Sequence, residues 1–187
     1  MRTFFAIKAP GSILDDIDRE ITSLRTSIPC AVKWTPKEQM HLTVKFLGSF
    51  STADTIPLKN RLLHEINSFG TISLTTTSFG IFPLKGNPRV IWYGIKANLL
   101  LVRLAAIIEK TCSTFGYQRE KRPFSPHLTI GRVKRKASIQ EMQVIRTAVQ
   151  NFKPANTYPF EVSTLLFIHS TLTPAGPEYR NLFKISI

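Results

Sequence analysis

Apolar positions along this 187-residue chain switch between a period of two and a period near 3.6, the marks of strand and helix. Residues 3–8 alternate and predict a first strand. Over 12–26, Ile13, Leu14, Ile17, Ile21 and Leu24 recur at helical spacing, with Ser12 as the expected N-cap. After Pro29 and Pro36, residues 41–48 read as a strand. Residues 54–69 read as a helix with Ile56, Leu62, Leu63 and Ile66 as its apolar positions, and 72–82 as β. The order then recurs. Residues 89–95 predict a strand, 99–115 a strongly apolar helix, and 127–133 another strand. A helix over 138–151 turns Ile139, Met142, Ile145 and Val149 inward, and 160–168 is again β. A closing strand over 179–187 alternates through Leu182, Phe183, Ile185 and Ile187.

Two of these strands open on the same tripeptide, His41-Leu42-Thr43 and His127-Leu128-Thr129, 86 positions apart. Strict alternation puts His41 and Thr43 on one face and Leu42 and Val44 on the other; His127 and Thr129 oppose Leu128 and Ile130 in the same way. Each strand therefore buries an aliphatic face and presents an imidazole beside a hydroxyl. The shift of 86 also carries the first strand onto 89–94 and the second helix onto 140–155. A β-α-β-α-β order repeated once predicts an α+β fold of two lobes related by a pseudo-two-fold, with mainly antiparallel sheets flanking a central cleft. Residues 1–187 would form one catalytic domain, with repeat halves near 1–86 and 87–187. Facing strands would bring two histidines and two threonines around one small anion, a setting suited to phosphate chemistry.

Composition sharpens the choice of partner. Hydrophobic residues at 43% and charged residues at 20% suit a folded globular chain. Twenty-five Lys and Arg against twelve Asp and Glu leave a net charge of +13, which favours a polyanion. Cys30 and Cys112 supply neither a disulfide framework nor a CxxC metal site, and either suits a buried thiol in a reducing compartment. The apolar run at the start is too short for a signal core, and no stretch approaches the roughly 20 residues of a membrane span. A cytoplasmic protein, no membrane partner and a monomer are the expectations. Zinc is the competing use of paired histidines, but the motifs offer no third ligand, so no cofactor is expected.

The chain resembles the two-histidine (2H) phosphoesterases, specifically the LigT-like RNA 2′,3′-cyclic phosphodiesterases. Residues 32–48, with Trp34, Thr35, Pro36 and the first His-Leu-Thr, are similar to one family signature. Residues 122–132, from Arg122-Pro123-Phe124 to Gly131-Arg132, are similar to the second. Residues 166–182, containing Ser170-Thr171-Leu172 and Gly176-Pro177-Glu178-Tyr179, are similar to the C-terminal element, although His169 stands where the family has an acidic residue before the serine. The resemblance implies a bilobal fold and metal-free hydrolysis of an RNA 2′,3′-cyclic phosphate end to a 2′-phosphate. It further implies His41 as proton donor to the leaving 3′ oxygen and His127 as proton acceptor from water. Thr43 and Thr129 would bind the non-bridging oxygens. Rival readings are a 2′–5′ oligonucleotide phosphodiesterase or 2′–5′ RNA ligase in the same cleft, and an RNA-binding module without turnover.

Other side chains have less specific signals. Basic runs at 119–122 and 132–136 flank the second motif and suit RNA-backbone attraction. Arg132 is the best single candidate for substrate binding, although strict alternation gives it the parity opposite to His127. Lys45 shares parity with His41 and Thr43 and is the weaker candidate. Phe46 and Trp92 are expected in the core, while Trp34 and Phe124 are open to base stacking. His64 and His169 lack chemical partners in the sequence and read as structural.

Overall fold

Strand β1 (Arg2–Ile7) has a sequence, RTFFAI, in which five successive residues are buried. Only a strand covered on both faces can do this, and it places β1 centrally. The computed structural model describes residues 1–28, 31–66, 69–174 and 176–187. Within them lie four α-helices and a nine-stranded antiparallel sheet. After β1 come α1 (Gly11–Ser27), β2 (Val32–Trp34), β3 (Leu42–Ser49), α2 (Thr55–Ile66) and β4 (Ile72–Phe82). The second series is β5 (Val90–Ile95), α3 (Leu99–Thr114), β6 (His127–Val133), α4 (Ile139–Asn151), β7 (Pro159–Val162), β8 (Thr164–Thr173) and β9 (Gly176–Ser186).

Several expectations shift. Pro10 occupies the N-cap of α1 with no side-chain cap, so Ser12 lies inside the helix. On α2 the buried row is Leu58, Leu62 and Ile66, at i, i+4 and i+8, leaving Ile56 70% exposed and Leu63 on the rim. On α4, Ile139 is 71% exposed at the first turn, while Met142, Ile145 and Val149 face inward as expected. There the chain starts with a capping box: Ser138 and Glu141 each satisfy the other's backbone N–H. The β segment predicted over 160–168 is two strands, separated at Ser163. Cys112 is buried and its thiol pushed up to about 12 by that burial, so it is chemically quiet. Cys30 lies outside the described residues. Among the described residues, no helix is long and apolar enough to cross a membrane.

Strand order is β7-β4-β5-β6-β3-β1-β8-β9, with β2 added to β6. The repeat is exact in register. Ala6 pairs with Thr43 and Trp92 with Thr129; Ile7 pairs with Leu42 and Tyr93 with Leu128. Likewise Phe5 pairs with Phe167 and Ile91 with Ile81, so β4 is to β5 what β8 is to β1. The halves meet at Leu42↔Leu128 and again at Leu74↔Phe160, pairs whose members are each 86 residues apart. A pseudo-two-fold therefore runs through both contacts. The lobes are not the sequence halves, however. β4, from the first half, pairs with β5 and β7 of the second, while β8, from the second, pairs with β1 of the first. Each half closes its lobe with a strand from the other. The main core lies under the helices on one side of this sheet, and a smaller cluster of Phe4, Ala6 and Ile168 lies on the other.

Candidate active site

That other face holds the two motifs. His41 immediately precedes β3, and His127 opens β6. With Leu42 directly opposite Leu128, an antiparallel register carries Thr43 towards His127 and His41 towards Thr129. The leucines are buried in the main core, leaving the imidazoles and hydroxyls on the far side. His41, Thr43, Thr129 and Arg132 line a common cleft of about 450 Å³. His127 sits on the same face against Phe82 and Trp92, with ring centroids 5.1 and 6.1 Å away.

Both imidazoles are held in the same way. Nδ1 of His41 is 2.7 Å from the Gln39 carbonyl oxygen, and Nδ1 of His127 is 2.7 Å from that of Ser125. A carbonyl oxygen only accepts, so Nδ1–H donates in each ring and Nε2 is left to exchange protons. His41 stacks on Phe4 at 4.8 Å and meets the edge of Tyr179 at 5.2 Å. Burial is the main force holding His41 below the ordinary histidine value; the Gln39 bond opposes it, and Arg132, Lys8 and His127 reinforce it. His127 is lowered by burial first and by Arg132, against the Ser125 bond. Arg132 thus acts on both rings.

Alternation fails just beyond each threonine, and this decides the remaining residues. The pairing of β1 with β3 passes from Ala6↔Thr43 to Phe5↔Lys45, leaving Val44 as an extra residue. The pairing of β5 with β6 passes from Trp92↔Thr129 to Ile91↔Gly131, leaving Ile130 extra. Each is a β-bulge, and each resets parity by one. In β6 it returns Arg132 to the cleft face, where it lines the site. In β3 it turns Lys45 away: the side chain is buried beneath α3, with Nζ 2.8 Å from a Glu109 carboxylate oxygen and 2.9 Å from the Gln118 carbonyl. Lys45 is therefore a structural lysine with no access to the cleft. Phe46, expected in the core, is instead 49% exposed and lines the cleft under the Arg2 guanidinium.

Trp92 is likewise outside the main core. It faces the site, half-buried, and its indole crosses Gly80, where a Cβ would come within 2.1 Å of the ring. Glycine at 80 is what admits the tryptophan. Trp34 lines the cleft, with the Arg25 guanidinium 5.6 Å from its ring, while Phe124 packs against the main core. The run at 119–122 is turned onto protein groups, with Arg122 on Glu120 and Arg119 on Ser113. His64 is exposed on α2, and His169 pairs across strands with Thr3 and Arg180. Tyr179 and the buried Ser170 line the cleft, so β8 and β9 supply its wall beside His41. Burial raises the Tyr179 phenol, against Arg132 and Arg2.

Arg2, Lys33 and Arg132 contribute cationic groups, and among the described residues no carboxylate lines the cleft. Nor is there, among them, a group of three or more His, Cys, Asp and Glu able to hold a metal ion. The cleft thus offers the His41 imidazole, two hydroxyls and positive charge, while His127 lies on the same face of the sheet but is not among the residues lining that cleft.

The family model of LigT-like phosphoesterases matches residues 12–92 and 96–179, one stretch in each half. The chain is 34% identical to the RNA 2′,3′-cyclic phosphodiesterase of Methanocaldococcus jannaschii, covering 96% of each chain. It is 32% identical to that of Archaeoglobus fulgidus, over 97% of this chain and 98% of that one. The protein TT0787 of Thermus thermophilus superposes with a TM-score of 0.78 at 26% identity, covering 100% of this chain and 97% of its own. E. coli LigT complexed with 3′-AMP shares the fold at a TM-score of 0.78 and 23% identity, with the same coverage. With its repeated fold, its paired His-Leu-Thr strands and these full-length likenesses, the chain belongs to the LigT-like phosphoesterases.

Proposed function

We propose that this protein hydrolyses the 2′,3′-cyclic phosphate at the end of an RNA or oligonucleotide to a 2′-phosphate, by metal-free general acid–base catalysis. The observation that carries the reading is the pair of imidazoles, each fixed through Nδ1 to a carbonyl two residues earlier, at pseudo-equivalent positions beside Thr43 and Thr129. Relatives more than 30% identical over nearly their whole length carry the name RNA 2′,3′-cyclic phosphodiesterase.

In-line displacement places the attacking and leaving oxygens on opposite sides of phosphorus. His127 Nε2 takes a proton from water as its oxygen bonds to phosphorus. The P–O3′ bond breaks, and His41 Nε2–H delivers a proton to O3′. The assignment of donor and acceptor follows the family resemblance. Thr43 and Thr129 donate hydroxyl hydrogen bonds to the non-bridging oxygens, and Arg132 offsets their charge. Since both rings are lowered in the free protein, a phosphate anion between them favours the proton that the acid must carry. All these groups come from one chain, so a monomer suffices.

The test is to incubate the purified protein, with a chelator present, against a 2′,3′-cyclic nucleotide and identify the phosphate isomer formed. A 2′-phosphate is expected. A 3′-phosphate, or no product beside tight, salt-sensitive RNA binding, overturns the reading, and cut or joined 2′–5′ linkages in its place would assign the cleft to the rival reaction.

A further inference from the structure

Arg132 borders two hollows. One is the cleft. The other lies where β5 begins and β6 ends, lined by Arg89, Val90, Arg132, Val133 and Arg135. Three arginine side chains line it beside Val90 and Val133. The strand ends are pinned together: Val90 pairs with Arg132, and the Val133 N–H donates to the Arg89 carbonyl at 3.0 Å. Among the described residues, none of the three arginines forms an ion pair with a carboxylate, whereas Arg19, Arg25, Arg61 and Arg122 all do. Like charges gathered without a counter-charge repel one another, and an anion relieves that cost. Guanidinium suits phosphate, since its planar donors match two oxygens at once.

Position identifies which phosphate. β6 leads from His127 and Thr129 to Arg132; because Ile130 is the bulge residue, Thr129 and Arg132 lie opposite Trp92 and Val90, two strand residues or about 7 Å apart. A ligand held at the histidines and continuing along β6 passes Arg132 and arrives between Arg89 and Arg135.

Resting on the reading of the cleft above, we infer that this hollow is a second phosphate subsite, occupied by an internal phosphodiester of the RNA strand whose cyclic end lies at the histidines. The protein then selects oligonucleotide ends over mononucleotides. Contact is with the backbone, so the preference is for length and charge and not for base sequence.

The experiment compares wild type with Arg89→Ala/Arg135→Ala and with Arg89→Lys/Arg135→Lys. Substrates are a cyclic mononucleotide, a pentanucleotide ending in a cyclic phosphate, and the same pentanucleotide with uncharged methylphosphonate internal linkages. Both arginines are exposed, so the alanine variant should fold. Its kcat/KM for the charged pentanucleotide should fall about ten-fold, with the salt slope of log kcat/KM shallower by about 0.7, the share of one phosphate contact on a single strand. Mononucleotide turnover should stay within about two-fold of wild type, the methylphosphonate substrate should lose the length advantage, and the lysine variant should keep most of it. Equal loss on mononucleotide and pentanucleotide, or no loss on either, overturns the inference. So does weakened inhibition by a nucleoside triphosphate with pentanucleotide turnover intact, which would give the hollow to free nucleotides. If wild type turns over none of these substrates, the reading of the cleft fails separately. Binding of a labelled pentanucleotide bearing a 3′-phosphate then decides the subsite: about ten-fold weaker binding by the alanine variant upholds it, and equal binding removes it.

Discussion

After the shared His-Leu-Thr run, β3 and β6 each insert one residue, Val44 and Ile130, and then place unlike side chains at like positions. Lys45 goes under α3 to Glu109 where its counterpart, Gly131, has no side chain and lies against Val32 and Trp34. Phe46 faces the cleft where its counterpart, Arg132, supplies charge. The fold is symmetric, and its decoration is not. His41 is packed by Phe4 and Tyr179, His127 by Phe82 and Trp92. A symmetric scaffold is enough to set two imidazoles, each beside a threonine, on one face of the sheet. The unequal residues beyond the bulges are what can give the substrate a direction, one end aromatic and the other cationic.

The largest effect should come from the symmetric part. His41→Ala and His127→Ala are each expected to lose about 10²–10⁴-fold in kcat with the melting temperature nearly unchanged. Full activity in either folded variant would remove that imidazole from the chemistry. Next comes the cationic end. Arg132→Ala should lower kcat/KM about ten-fold, as expected for a charge-assisted hydrogen bond. It should also move the pH profile. In the wild type both imidazoles sit below about 6.5, so the singly protonated pair, and with it kcat/KM, is most populated on the acid side of that value and declines as pH rises. Removing Arg132 removes a cation that lowers both, so the alkaline limb should shift upward; a profile unmoved in Arg132→Ala would separate the arginine from the pair. The same depression bears on stability. The folded values lie below the unfolded one, so the contribution of the neutral rings is present above about pH 6.5 and is lost as pH falls through the folded values.

Smaller effects should separate the two bulges. Lys45→Met strands the Glu109 partner but fills the buried space; because Glu109 is partly exposed, the cost should be about 1–2 kcal/mol, a few degrees of melting temperature. Turnover per folded molecule should be retained, and a ten-fold loss would return Lys45 to the site. Thr43→Val and Thr129→Val should each cost about five-fold in kcat/KM, the worth of one neutral hydrogen bond. A marked inequality between them would show the phosphate held nearer one strand.

The paired motif, the order of elements and the repeat were legible because all are local or periodic. Arg132 was legible by chemistry although alternation argued against it. Lys45 was misplaced by the assumption of a continuous period of two, and Phe46 and Trp92 by the expectation that aromatics in β-rich segments are core. One inserted residue moved Lys45 and Phe46 to the opposite faces, and an isoleucine or valine forms a bulge without announcing it. Trp92 faces the cleft by register with Thr129, which needs knowledge of its partner strand. The contact of Tyr179 with His41 spans 138 positions and depends on β9 pairing with β8 and β8 with β1. Nothing local encodes that. Ile56 was read as an apolar position of its helix, but it stands two residues, about 200° round the helix, from Leu58, where the buried row begins, and Ile139 precedes the buried row of α4 in its first turn.

The exchange of β4 and β8 between lobes has a consequence for any shorter version of this chain. Severed after residue 86, the first half would end in a strand whose principal neighbour, β5, is gone, and β1 would lose β8. Two such fragments could satisfy each other only by trading their last strands, forming a homodimer with one imidazole from each subunit on either side of its rotation axis. Covalent fusion makes that reciprocity permanent, and leaves each former twin able to mutate independently of its mate.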